Sequence, residues 1–317
     1  MHIVVLAGHA LNPGDLSWEP LSSQGEWEYY DRTAPDQVVP RAIHADILFT
    51  NKVALTADVI AQLPNLNYIG LLSTGYNVVD LDAARARNIP VCNVPAYSTD
   101  SVAQMTFVLL LHVCNGVGAH AAWVADGGWA RHPDFCHWLF PITELAGKTF
   151  GIVGYGAIGR AVGRLARAFG MQVLACNRSQ VTGQDGVRIV DADTLLAERD
   201  IVSLHCPLYA DNTHWINRDT LARMRDGAIL INTARGGLVD ELAVREALDT
   251  GKLAYYLADV LSQEPPSPDH VLTAHPRCVI TPHAAWASRD ARTRLLTIAA
   301  DNLRVWLQGG RQNCVWQ

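Results

Sequence analysis

Apolar positions in this chain fall into short continuous runs separated by stretches of helical period. His2–Ala7, Ile47–Thr50, Tyr68–Leu72 and Val91–Val94 read as strands, whereas Thr56–Leu63 and Leu81–Asn88 carry helical spacing, the former stopped by Pro64. That alternation predicts a small parallel α/β domain at the N-terminus. From Ser98 to about Ala125 one long helical pattern follows, entered through Ser98-Thr99-Asp100 as a cap, closed by Gly127-Gly128, and long enough to carry the chain between domains. Further strands are predicted at Thr149–Val153, Met171–Cys176, Ile201–His205, Ala228–Asn232, Ala254–Val260 and Val279–Thr281, with helices at Ile158–Phe169 and Asp240–Leu248. A last helix, Ser288 to about Leu307, comes after the final strand of the second domain. It is expected to return to the first domain, which is then discontinuous: 1–97 with 289–317, against 98–288 for the second.

Composition narrows the classes. A chain of 317 residues exceeds what one core usually holds, and 49% apolar content fills two. A formal charge of -6 without any Lys/Arg block excludes a nucleic-acid footprint. The longest apolar segment, Val102 to Val117, is interrupted by Gln104, Thr106, His112 and Asn115, which makes it a buried helix and no membrane span. Seven cysteines, without a CxxC pair or histidines at ligand spacing, read as small hydrophobes in a reducing compartment and predict no metal site. The start, Met1-His-Ile-Val-Val-Leu6, has the pattern of a strand and no charged leader, so a cytoplasmic location is expected.

The candidate chemistry begins where Thr149–Val153 breaks into Gly154-Tyr155-Gly156-Ala157-Ile158-Gly159 and opens a helix. A dinucleotide pyrophosphate needs that order: a tight turn, backbone without Cβ close to phosphate, and helix N–H groups aimed at the anion. Gly170 stops the helix and the next strand completes a βαβ unit. At the end of that strand, ~20 residues past the glycines, a carboxylate usually meets the ribose hydroxyls. Here stands Asn177-Arg178-Ser179. A guanidinium pairs with a 2′-phosphate, so NADP(H) is favoured with NAD(H) possible; the other reading of Arg178 is a solvated residue stacking on adenine.

Three polar residues each follow a predicted strand directly: Arg235, Glu264 and His283. In an open parallel sheet the carboxyl ends of the strands share one edge with the cofactor, so these side chains can converge. The set suffices for reducing a 2-keto acid. Arg235 grips the carboxylate with its planar fork, His283 gives a proton to the carbonyl oxygen, and Glu264 holds the other imidazole nitrogen. Each also has a plainer reading: His283 as a loop residue after Pro282, Glu264 as a solvated turn, Arg235 as a helix cap.

In combination these residues resemble the NAD(P)-dependent D-isomer-specific 2-hydroxyacid dehydrogenases, nearest their glycerate dehydrogenase (hydroxypyruvate reductase) branch. The matching segments are Ser73–Asp80, Asn93-Val-Pro95 with Ser101–Gln104, the Gly154–Gly159 turn, His205–Leu208, Asn232–Gly237, Asp259-Val260 with Glu264-Pro265, and Thr281–His283 with Trp286. The resemblance implies a Rossmann-type doubly wound parallel sheet for the cofactor plus a smaller flavodoxin-like α/β substrate domain. It places Arg235, Glu264 and His283 on the catalytic arginine, glutamate and histidine, and Ser73-Thr74-Gly75 where backbone amides receive the substrate carboxylate. Asp259 falls near the nicotinamide carboxamide, and Thr233, Ala234, Cys206, Pro207 and Ala285 line the cofactor. It also implies a homodimer pairing through the cofactor domains, with the long helix contributing.

Two departures limit the transfer: Asn177-Arg178 in place of an acidic residue, and Ser73-Thr74 in place of the more common Arg-Ala. Phe135 and Trp138 are expected in apolar packing, the other reading being that they project into the partner's or their own pocket. The expected reaction is reduction of a short keto acid; glyoxylate, hydroxypyruvate and pyruvate all fit one carboxylate clamp, and hydroxypyruvate to D-glycerate is the choice. The rivals are a nicotinamide-sensing corepressor and a formate- or phosphite-type dehydrogenase.

Overall fold

The computed structural model describes residues 1–184, 186–197 and 199–316. The chain divides into two compact units, Met1–Ser98 with Trp286–Gln317, and Thr99–Ala285.

The first unit holds a parallel sheet of β1 (His2–Val5), β2 (Glu26–Tyr29), β3 (Ile47–Thr50), β4 (Tyr68–Leu71) and β5 (Val91–Cys92), in the order β2-β1-β3-β4-β5. Successive residues of β1 serve opposite faces. Ile3 and Val5 join Phe49, Tyr68 and the helix Arg289–Leu307 in one core, while Val4 pairs with Leu48, Ile69 and Ile60 in another. Both faces are covered, which is why these strands read as continuous apolar runs. The edge strand β2 escaped the hydrophobic pattern because Glu26 and Glu28 alternate with aromatics along it. Ser288 caps the Arg289–Leu307 helix by accepting from the Ala291 amide at 3.2 Å. One turn in, Arg292 donates both terminal nitrogens to Asp15 at 2.7 Å, and this fork holds the Asp15 carboxyl below its ordinary range.

The second unit is built on β6 (Thr149–Val153), β7 (Gln172–Cys176), β8 (Arg188–Ile189), β9 (Ile201–Leu204), β10 (Ala228–Asn232), β11 (Leu253–Ala258) and β12 (Cys278–Ile280). All pairings are parallel, in the order β12-β11-β10-β9-β6-β7-β8. The sequence of strands reverses direction between β6 and β9, the position where doubly wound sheets open a crevice at their carboxyl ends.

The single helix expected from Ser98 to Ala125 is broken. Helices Thr99–Asn115 and Val117–Ala125 meet at a 55° bend. Gly116 makes the break with φ +55°, and a Cβ there would lie 1.8 Å from the Phe140 ring. Periodicity carries across a glycine, so the bend has no local sequence signal. Among the described residues no single helix is long and apolar enough to cross a membrane, although these two reach that length together across the bend. Phe135 and Trp138 do not pack: they are 89% and 60% exposed, on a segment that follows these helices without regular structure of its own.

Candidate active site

At the end of β6 the chain turns through Gly154, whose φ of +97° and close approach to the next strand both require glycine. A Cβ there would lie 2.5 Å from the Cys206 nitrogen. Gly159 packs as tightly, with a Cβ position 2.2 Å from the Gly154 oxygen. Gly156 is different: an added Cβ meets nothing within 4 Å. It stands at the N-cap of the helix Ala157–Ala168, where the first helical bond runs from the Arg160 amide to the Gly156 carbonyl. The amides of Ala157, Ile158 and Gly159 therefore have no acceptor within the helix, and the space beside Gly156 at its start is open. Residues of this kind fit a dinucleotide's phosphates.

Beyond β7, Asn177 is used internally. Its Oδ1 accepts from the Tyr155 amide at 3.1 Å and its Nδ2 donates to Ser179 Oγ at 2.8 Å. Arg178 points outward, 69% exposed, with its guanidinium 4.3 Å above the Tyr209 ring and 3.7 Å from Asp211. The acidic partner Asp211 was not anticipated from the sequence, since 33 residues separate it from Arg178.

Cys206 and Pro207 follow β9 beside the glycine turn. Burial pushes the Cys206 thiol up, so it stays protonated, and the Pro207 carbonyl accepts from Asn212 at 2.8 Å. The neighbouring His205 is held neutral: burial drives its imidazole down to about 3, Nε2 meets Ser203 Oγ at 2.8 Å, and Nδ1 is sealed without a partner.

The three singled-out residues all lie in the second unit. Arg235 follows β10 in extended conformation and is exposed, with one terminal nitrogen donating to the Ala234 carbonyl at 2.6 Å. Asn232 shapes the turn beneath it, donating to the Arg235 carbonyl at 2.9 Å and accepting from the Ala234 amide at 3.1 Å. Thr233 is buried and meets Thr106 Oγ1 at 3.2 Å. The next residue, Gly236, lies so close to the loop after β11 that a Cβ would fall 1.9 Å from the Leu261 carbonyl carbon. Leu261 in turn donates its amide to Glu264 Oε1 at 3.1 Å, and Glu264 Oε2 sits 2.6 Å from His283 Nδ1. The structure thus joins Glu264 to His283 directly, and seats the turn of Arg235 against the same loop.

Asp259 organises the far side. It is 1% exposed, and its oxygens accept from Thr281 Oγ1 at 2.5 Å, the Ala284 amide at 2.9 Å and the Ala285 amide at 2.8 Å. Together with the His283 amide bonding to the Asp259 carbonyl at 2.8 Å, this clamps a tight turn in which His283 takes φ +51°, a left-handed conformation costly for a residue with a side chain. A second carboxylate, Glu241, fixes the other loop by accepting from the Ser262 amide at 2.9 Å, from Ser262 Oγ at 2.6 Å and from His270 Nε2 at 3.0 Å. Neither clamp was found in the sequence.

In the first unit, Ser73, Thr74 and Gly75 form a turn directly after β4. Ser73 Oγ donates to the Gly75 carbonyl at 2.7 Å, Thr74 Oγ1 donates to the Val94 carbonyl at 2.8 Å, and Asn93 donates to the Thr74 carbonyl at 2.7 Å. The Ser73 and Thr74 hydroxyls are thus engaged in holding the turn. Among the described residues no group of three or more His, Cys, Asp or Glu side chains could hold a metal ion.

Comparison with known proteins agrees with this arrangement. Residues 107–285 match the family model for the NAD-binding domain of D-isomer specific 2-hydroxyacid dehydrogenases. Over 320 aligned residues, covering 99% of each chain, the protein is 43% identical to a hydroxypyruvate reductase of Blautia hydrogenotrophica. It is 39% identical to a glycerate dehydrogenase of Methylorubrum extorquens, covering 92% of each chain. Among solved structures, an acyclic imino acid reductase in complex with NADPH and D-arginine superposes with a TM-score of 0.86 at 28% identity, over 99% of this chain and 100% of that one. An oxidoreductase acting on a CH–OH group with a nicotinamide cofactor, the chain belongs to the D-isomer-specific 2-hydroxyacid dehydrogenases.

Proposed function

We propose that this enzyme reduces hydroxypyruvate to D-glycerate, and glyoxylate less well, with NADPH preferred over NADH. The observation that carries the reading is the 2.6 Å contact of Glu264 Oε2 with His283 Nδ1 at the carboxyl end of the sheet that bears the glycine turn. The names of the two relatives support the choice of substrate, and the exposed guanidinium of Arg178 supports the choice of cofactor. Amides of Ala157, Ile158 and Gly159 would hold the pyrophosphate, and Arg178 the 2′-phosphate. Cys206, Pro207, Thr233, Ala234, Asp259 and Ala285 would line the rest of the cofactor.

The bound nicotinamide supplies a hydride to the carbonyl carbon. What the chain contributes is placement and a proton. Arg235 binds the substrate carboxylate through its fork and draws electron density from the adjacent carbonyl, and in the first unit the Ser73–Gly75 turn is proposed as a substrate-binding segment through its backbone amides. His283 Nε2–H donates its proton to the keto oxygen as negative charge develops there. Glu264 accepts from Nδ1–H, which keeps the donor proton on Nε2 and offsets the charge of the imidazolium. In the reverse direction the same imidazole takes the proton from the hydroxyl.

The experiment is a steady-state comparison of hydroxypyruvate, glyoxylate, pyruvate and formate with each nicotinamide, on the native chain and on His283→Ala. Hydroxypyruvate with NADPH is expected to give the highest kcat/KM, and His283→Ala to lose turnover by about 100-fold or more while still binding cofactor. Turnover of formate alone, or of none of the four, rejects the reading. We also propose a homodimer through the Thr99–Asn115 and Val117–Ala125 helices and the segment after them. Val117, Val124, Trp129, Phe135, Trp138 and Ile142 expose apolar surface there. A monomeric mass by light scattering rejects it.

A further inference from the structure

Two cysteines separated by 222 residues meet in the first unit. Cys92 ends β5, and Cys314 lies in the C-terminal segment that follows the Arg289–Leu307 helix; they oppose each other in an isolated antiparallel bridge. The flanking hydrogen bonds define the kind of pair. Asn93 donates its amide to the Asn313 carbonyl at 3.0 Å, and Val315 donates to the Val91 carbonyl at 2.9 Å. Residues 92 and 314 are therefore the non-hydrogen-bonded pair of the bridge, in which Cα atoms approach to about 4.5 Å and side chains come closest. That spacing falls inside the ~4.4–6.8 Å range that a disulfide spans without backbone movement. The two Sγ atoms stand 2.9 Å apart, in thiol–thiol contact.

The approach of the segment does not depend on the thiols. Asn302 donates to the Asn93 carbonyl and accepts from Asn313 Nδ2, both at 2.9 Å, which locks the backbone on either side of the pair. Cys92 is buried among Ile3, Phe49 and Tyr68, and Cys314 is partly exposed. Burial and the contact with Cys314 keep the proton on Cys92, so Cys314 is the thiol that meets an oxidant in solution.

We propose that Cys92 and Cys314 form a modification site: a reversible disulfide, made by a small-molecule disulfide, that fastens the C-terminal segment to β5. The Cys314 thiolate attacks one sulfur of the oxidant, forming a mixed disulfide and releasing one thiolate. Cys92 then gives up its proton and attacks Cys314 Sγ, releasing the second. In total two protein thiols lose two electrons and two protons, and the oxidant becomes two thiols. Neither cysteine belongs to the machinery of the reaction, so this proposal stands apart from the choice of substrate.

The test uses the full-length protein treated with oxidised glutathione, followed by alkylation, denaturation and peptide mapping. Cys92 and Cys314 are both expected to leave the free-thiol pool, with the peptides that bear them joined and dithiothreitol restoring all seven thiols. Amide exchange at Val315 is expected to slow by about tenfold or more, because local opening of the segment is then covalently opposed. Cys92→Ser should stop at a glutathione adduct on Cys314. Should that buried change prevent folding, Cys314→Ser at the partly exposed position should lose no thiol from Cys92, and Cys136→Ser should oxidise as the native chain does. A native count that stays at seven, or two lost thiols that map to other cysteines, overturns the proposal.

Discussion

His283 Nδ1 stands 2.6 Å from Glu264 Oε2 while Glu264 Oε1 receives the Leu261 amide at 3.1 Å, so both oxygens of one carboxylate accept. An amide side chain cannot repeat that pattern. In Glu264→Gln the NH2 group must face either the Leu261 N–H or the imidazole, where it would donate to Nδ1 and leave the ring neutral with its one proton on Nε2, a far weaker acid than the imidazolium. We expect kcat to fall about 100-fold with KM for the keto acid changed far less, measured under steady state. An unchanged kcat would remove Glu264 from the mechanism.

Arg178 is the residue proposed to set the cofactor preference. Its present partner is an exposed carboxylate at 3.7 Å, a contact that a phosphate dianion readily displaces. Arg178→Asp is expected to lower kcat/KM for NADPH by about 10- to 100-fold more than for NADH. Equal losses with both nicotinamides would show that the guanidinium meets adenine and not a 2′-phosphate.

Gly154→Ala is expected to damage the phosphate turn from within. The added methyl would sit 2.5 Å from backbone of Cys206 at a φ of +97°, and no flexible side chain is available to yield. Destabilisation of about 2–4 kcal/mol by thermal unfolding, with cofactor affinity reduced at least tenfold, is the expected outcome. The contrasting Gly156→Ala, which meets nothing in the protein, should fold normally and lose affinity alone.

His205 predicts an acid limb in stability. Its imidazole titrates at about 3 in the fold against 6.5 in the unfolded chain, because burial favours the neutral ring. Folding is therefore unpenalised above pH 6.5, and the unfolded state gains the extra proton as pH falls from 6.5 toward 3. Over that window the single group costs up to about 1.4 kcal/mol per pH unit. A His205→Gln variant should lose thermal midpoint less steeply on acidification than the native chain. Parallel curves would mean that the ring is charged in the fold.

Much of this fold was legible because its strands are covered on both faces, and continuous apolar runs such as Ile47–Thr50 and Ala228–Asn232 have no other soluble explanation. Glu26–Tyr29 and Arg188–Ile189 are edge strands, and their exposed charges erase that signal. The break at Gly116 depends on Phe140, a contact that spacing along a helix does not encode. At the site, Arg235, Glu264 and His283 stood out because each follows a strand of one parallel sheet. The carboxylates that brace their loops did not, since Glu241 reaches Ser262 and His270 across 21 and 29 residues, and Asp259 reaches Ala285 across 26.

The seating of Gly236 on Leu261 has a mechanical consequence. With no room for even one methyl between the turn of Arg235 and the strap that carries Glu264, the two behave as meshed gears: a shift in either is passed to the other. A substitution that changes how Arg235 is presented is therefore expected to disturb the aim of Glu264 on His283 as well.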